Sequence, residues 1–151
     1  MKRKIINLTQ HTPLPAQIAE GVFSSSKHEE IRGLLTFHEA PTTKEMIKRA
    51  LELSVIAREE GAEYALIGGA PYFMPILEKV LLDSGIIPLY AFSRRQVEEV
   101  TENGTTKKIV VFHHERFIPA SMYKICEAVY QQGLENMPSL NLETLKKIKD
   151  L

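Results

Sequence analysis

The stretch from Tyr64 to Arg95 constrains this chain most. It reads Tyr64-Ala65-Leu66-Ile67, then Gly68-Gly69-Ala70-Pro71, then an amphipathic segment, then the apolar run Ile86 to Phe92 and Ser93-Arg94-Arg95. An apolar run, a glycine turn, a helical period and a second apolar run are the pattern of a βαβ unit. Such a unit makes its two strands parallel, so both leave the sheet at one edge, where open α/β sheets take ligands. Gly68 and Gly69 let the backbone approach closely where strand becomes helix. Pro71 suits the first turn of a helix predicted from Pro71 to about Ser84, and the free N–H groups there can hold an anion. Ser93, Arg94 and Arg95 are expected to leave the following strand at the same edge.

The flanking sequence extends this unit. Lys4 to Leu8 reads as a first strand, and Asn7 to Thr12 as a second strand-to-helix junction before a short helix, Ala16 to Glu20, stopped by Gly21. Val22 to Glu30 is polar and reads as a loop. Ile31 to Phe37 reads as a short strand or an irregular segment. Thr42 and Glu45 form a capping box for an amphipathic helix to Glu60, with Gly61 after its end. Asn103-Gly104 between strand-like runs signals a hairpin. Helices are expected from Pro119 to about Gln132 and from Glu143 to Leu151. The fold class is α/β: a Rossmann-like, mainly parallel sheet with an added antiparallel hairpin and C-terminal helices. One domain spans 1–151, with a core over 1–118 and a helical extension over 119–151.

Composition narrows the partners. The 151 residues carry 19 basic and 19 acidic side chains, so no global field draws in duplex nucleic acid. The lone cysteine, Cys126, forms no intrachain disulfide and reads as buried on a helix. No apolar run suits a signal peptide or a membrane span, which makes the cytoplasm the expected location.

Four clusters carry potential chemistry. Gly68-Gly69-Ala70 either packs tightly or cradles phosphate; without a Gly-Lys-Ser/Thr ending it is not a P-loop. Ser93, Arg94 and Arg95 are either solvated surface or a phosphate fork in the crevice. Asn7, Thr9, Gln10 and His11 are either turn residues or readers of a base or ribose, with His11 able to act as acid or base. His113-His114-Glu115-Arg116 invites a metal reading; neighbouring residues on a strand point to opposite faces, so His113 and His114 are not expected to chelate one ion together, whereas His113 and Glu115 share a face and His11 or His38 could supply a third ligand. No metal and no cofactor is assigned.

The ordered motifs Asn7-Leu8-Thr9-Gln10-His11-Thr12-Pro13, Pro88-Leu89-Tyr90-Ala91 with Arg94 and Arg95, Asn103-Gly104, and Val111-Phe112-His113-His114-Glu115-Arg116-Phe117 carry a resemblance. The chain resembles the small stand-alone CARF-like proteins (CRISPR-associated Rossmann fold) grouped with the ring nucleases of type III CRISPR systems. The resemblance covers Lys4 to Phe117. Gly68-Gly69-Ala70-Pro71 departs from the family's glycine turn, and the helices after Ile118 have no counterpart in it. The resemblance implies a homodimer in antiviral defence that binds a cyclic oligoadenylate, or another adenine nucleotide, across its two-fold axis. It leaves room for metal-independent cleavage of the ring. A ribose 2′-hydroxyl would attack the neighbouring phosphate, with Arg94 or Arg95 stabilising charge and His11 assisting proton transfer. Two alternatives stand beside this reading: a nucleotide sensor that does not cut, and a dimeric protein-interaction module with no small ligand.

Overall fold

The computed structural model describes residues 2–120. Cys126 and the helices expected after Pro119 lie outside the described residues. The strands are β1 (Ile5–Leu8), β2 (Val22–Phe23), β3 (Tyr64–Ile67), β4 (Ile87–Glu102) and β5 (Thr105–Pro119). The helices are α1 (Pro15–Ala19), α2 (His28–Leu35), α3 (Thr43–Glu59) and α4 (Met74–Asp83). The strands form one mixed sheet of order β2-β1-β3-β4-β5. β1 pairs in parallel with β2 and β3, β3 pairs in parallel with β4, and only β4 and β5 are antiparallel.

β1 and β3 are apolar but for Asn7 and the Tyr64 hydroxyl, because both of their faces are buried. Ile6, Leu8, Ala65 and Ile67 point into the larger core with residues of α2, α3 and α4, including Ile31, Leu53, Leu77 and Leu81. Ile5 and Leu66 point the other way, into a smaller cluster with Val22 and Leu89. α3 starts as its capping signal dictates: the Thr42 hydroxyl accepts the Glu45 N–H at 3.2 Å. α4 begins three residues later than expected. Phe73 and Met74 both donate their N–H groups to the Ala70 carbonyl, making a turn, and Pro75 rather than Pro71 occupies the first helical turn. Phe73 anchors that turn, fully buried with its ring 5.2 Å from that of Phe37.

The structure corrects three local expectations. The polar stretch after Gly21 contains the two-residue strand β2, held in register with Ile5 and Ile6. The segment read as a strand or irregular at Ile31 is the helix α2. Ile31 and Leu35, one turn apart, are buried in the core, Leu34 packs beside them, and Gly33 stands in open space. The largest difference is β4, which does not end at Phe92 but runs 16 residues to Glu102. Ser93, Arg94 and Arg95 therefore lie inside a strand. The ladder with β5 continues through a bulge, where Phe92 pairs with Arg116, Ser93 with His114, and Glu115 is the extra residue. The turn Asn103-Gly104 closes it, both residues at positive φ (50° and 77°), as a two-residue hairpin requires. Past the bulge the two strands pair only with each other, as an arm. No helix among the described residues is long and apolar enough to cross a membrane.

Candidate ligand site at the exit of β1

β1 lies between β2 and β3, so the direction of winding reverses beside it. At such a switch point the loops after neighbouring strands diverge and leave a crevice at their carboxyl ends. The turn from Asn7 to Thr12 fills that position.

Asn7 shapes the turn. Its side chain is buried, its Oδ1 accepts the Thr9 N–H at 3.2 Å and the Thr9 hydroxyl at 2.8 Å, and its Nδ2 donates to the His11 carbonyl at 2.8 Å. The His11 N–H donates in turn to the Thr9 hydroxyl at 3.2 Å. An asparagine that bonds its own backbone two residues on is the standard Asx device for reversing a chain. Gln10 ties the turn to the end of α2, donating to the Thr36 hydroxyl at 2.8 Å. The polar side chains of Asn7 and Gln10 are thus committed to holding the loop. Gly21, at the end of α1, holds the start of β1: its carbonyl accepts the Ile5 N–H at 3.2 Å.

Two cavities flank this turn. One, of about 260 Å³, lies between the β1 and β3 exits and is lined by Asn7, Thr9, His11, Gln17, Gly68 and Tyr90 among others. The other, of about 280 Å³, lies toward the start of α2 and includes Thr9, Gln10, His11, Ser24, His28 and Arg32. Thr9, His11 and Thr12 line both. Gly68 leaves the first cavity open beside Thr9, and a Cβ there would sit at an ordinary 3.7 Å from the Thr9 methyl. Gln17 is buried, and its Oε1 accepts the Leu14 N–H at 2.9 Å. The Tyr90 hydroxyl donates to Glu78 at 2.8 Å. Burial first, then that hydrogen bond, push its pKa above the ordinary phenol value, so it stays protonated.

The structure brings Asn7, Thr9, Gln10, His11 and Gly68 together. Gly69 and Ala70 follow Gly68 in the same loop but line neither of these two cavities. Ser93, Arg94 and Arg95 are not in them either. Arg94 pairs with Glu115, its Nη2 3.1 Å from Oε2, and Arg95 stands opposite Phe112 on the arm. The cationic group beside His11 is instead Arg32, whose Nη1 lies 3.3 Å from Glu29. Sequence reading missed Arg32, His28 and Ser24. Their signal was the polar run after Val22-Phe23, which repeats at β2 what Asn7 to Thr12 does at β1.

His113 and His114 point apart as their strand position requires. His113 meets Glu98 at 2.8 Å, while His114 is buried against Glu20 at 3.1 Å. Among the described residues no three His, Cys, Asp or Glu side chains gather closely enough to hold a metal ion. The β1 turn and the start of α2 together line the crevice with hydroxyls, two imidazoles and a guanidinium, a donor-rich set suited to an anionic polar ligand.

Fold and site together define a mixed α/β protein with a polar crevice at the switch point of its sheet. Residues 3–118, which span the whole sheet as far as Ile118, match the model of the uncharacterized protein MJ1673 family, and the chain belongs to that family. Comparison with curated proteins and with solved structures finds no match.

Proposed function

We propose that the crevice at the exit of β1 binds a phosphate-bearing nucleotide, in a Rossmann-like fold acting in the cytoplasm. The observation that carries this reading is His11, which lines two cavities at once, on either side of a turn at the switch point. The strand order supports it, because nucleotides in doubly wound sheets sit at this place. In this reading the ribose and base lie between Thr9 and Gly68. The phosphate lies toward Ser24, His28 and Arg32, where a guanidinium fork can meet its oxygens.

The resemblance to CARF-like proteins makes cyclic oligoadenylate the first ligand to test. Cleavage of such a ring needs the 2′-hydroxyl aligned with the adjacent phosphate. The 2′ oxygen bonds to phosphorus, the 5′ oxygen leaves, and a proton passes from the first to the second. In this reading His11 moves that proton, and Arg32, which lines the same cavity, takes the charge-offsetting role expected of Arg94 or Arg95. Titration calorimetry with cyclic tetra-adenylate and with AMP, in EDTA, tests binding. Chromatography of the same mixtures tests cutting. Heat with either ligand, lost in His11→Ala and Arg32→Ala, is the expected result. No heat with any adenylate at millimolar concentration would remove the nucleotide reading. Binding without a 2′,3′-cyclic phosphate product would leave a sensor.

A further inference from the structure

We propose that the arm built from β4 and β5 joins two copies of this chain, face to face and antiparallel, through the side that carries Val97 and Val110. The ten residue pairs from Ser93–His114 to Glu102–Thr105 make a ribbon about 30 Å long at roughly 3.3 Å per residue. A two-stranded ribbon alone in water is marginal, because neither face is covered. This one nevertheless leaves large apolar side chains in solvent: Val97 is 63% exposed, Phe112 58% and Val110 44%.

These three share one face. Residues directly opposite on paired strands lie on the same side, and sides alternate along each strand. The register pairs Arg95 with Phe112, Val97 with Val110, and Glu99 with Lys108. That face therefore reads plus, apolar, minus along β4, and aromatic, apolar, plus along β5. A two-fold axis at the Val97–Val110 pair, running across the strands, sets Val97 on Val97 and Val110 on Val110 of the other copy. It also sets each Arg95 on the other copy's Glu99, and each Phe112 on the other copy's Lys108, where an ammonium can lie over the ring. An isologous contact needs such a self-complementary patch. Running the arms in the same direction instead would bring both bodies to one end, with the ribbons only about 10 Å apart. Nucleic acid does not fit the arm, because Glu98, Glu99 and Glu102 offset Arg94, Arg95, Lys107 and Lys108. The arm surface stands apart from the β1 crevice, and loss of ligand binding leaves it untouched.

Sedimentation equilibrium of the full chain at micromolar concentration tests this, with circular dichroism to confirm folding of each variant. Wild type is expected at twice the 17.1 kDa of one chain. Arg95→Glu and Glu99→Arg are each expected to weaken self-association at least about tenfold. Mixed one to one, the two variants restore the dimer. The first then presents two carboxylates on this face of β4 and the second two guanidinium groups, so opposite charges meet at both contacts. Val97→Asp abolishes the dimer in every mixture. A monomeric wild type, or single variants that dimerise like wild type, would overturn the proposal. Failure of the mixture to associate would overturn the antiparallel register.

Discussion

His114 Nε2 lies 3.1 Å from Glu20 Oε1, joining two residues that are far apart in the sequence. The contact ties the base of the arm to the end of α1. The His114 side chain is 1% exposed and its ring lies 4.4 Å from that of Phe117, while Nδ1 has no partner among the described residues. Glu20 is partly exposed, so water can take over its carboxylate. The ring's packing should therefore matter more than its hydrogen bond to Glu20. His114→Ala is expected to lose about 2 kcal/mol or more through the cavity it leaves. His114→Phe, which fills the space and removes the unpartnered nitrogen, should stay within about 1 kcal/mol of wild type. Chemical denaturation of the two variants makes the comparison. Equal losses would show that the Glu20 contact, not packing, holds the arm.

Asn7 carries the β1 turn. Asn7→Ala removes the acceptor for Thr9 and the donor to His11 together, and should cost about 1–3 kcal/mol. Asn7→Asp keeps the acceptor but points a carboxylate oxygen at the His11 carbonyl in place of an N–H. Both should lose affinity in calorimetry for any ligand that binds wild type, because His11 loses its position. A ligand bound equally well by all three would lie outside this crevice.

The parts of the fold legible in the sequence are those where burial or capping dictates side-chain type. Tyr64–Ile67 reads as a strand because both faces demand apolar residues, and Thr42 with Glu45 marks the start of α3. α2 stays hidden because its core-facing residues, Ile31, Leu34 and Leu35, span little more than one turn, and Lys27 gives no capping side chain. The outer end of β4, Val97 to Glu102, was legible as one arm of the Asn-Gly hairpin, but its continuity with the inner strand was not. Ser93 to Gln96 pairs with β5 through backbone groups and carries no apolar side chain, so nothing marks it as strand. Arg94 and Arg95 consequently read as residues beyond a strand end, when they are residues of the arm. The hairpin turn itself was legible, because positive φ at two successive residues selects Asn-Gly. In the site, Asn7 to His11 was legible as a polar turn after a buried strand. Arg32 was not, because it enters the site from a helix that the pattern concealed.

Tyr90 gives the chain a defined alkaline response. Its phenol is held neutral by burial and by Glu78, so its pKa in the folded state exceeds that of the unfolded chain. A group raised in this way contributes stability fully below its unfolded pKa, about 10 for tyrosine, and loses it as pH climbs through the folded value. The stability difference between wild type and Tyr90→Phe should be constant up to about pH 10 and shrink above it. Urea denaturation at several pH values measures this. A difference that grows with pH would mean the phenolate, not the phenol, is the favoured form.

Gly21 and Gly85 separate conformational strain from steric overlap. Both hold positive φ, 109° and 77°, where an alanine is strained whatever its surroundings. Their surroundings differ. A Cβ on Gly21 would overlap the carbonyl oxygen of Arg3, where the chain enters β1, whereas a Cβ on Gly85 meets nothing within 4 Å. Relief at Gly21 requires moving backbone, because the obstacle is backbone, and that backbone leads into β1, an interior strand of the sheet. Gly85→Ala should therefore cost about 1–2 kcal/mol, the price of the left-handed conformation alone. Gly21→Ala should cost about 3 kcal/mol or more, by strain and displacement together. Thermal melts followed by circular dichroism give both numbers under one condition. Equal losses would mean that the β1 entrance yields to the added methyl, and then Gly21→Ala should also disturb the Asn7 turn at the other end of that strand.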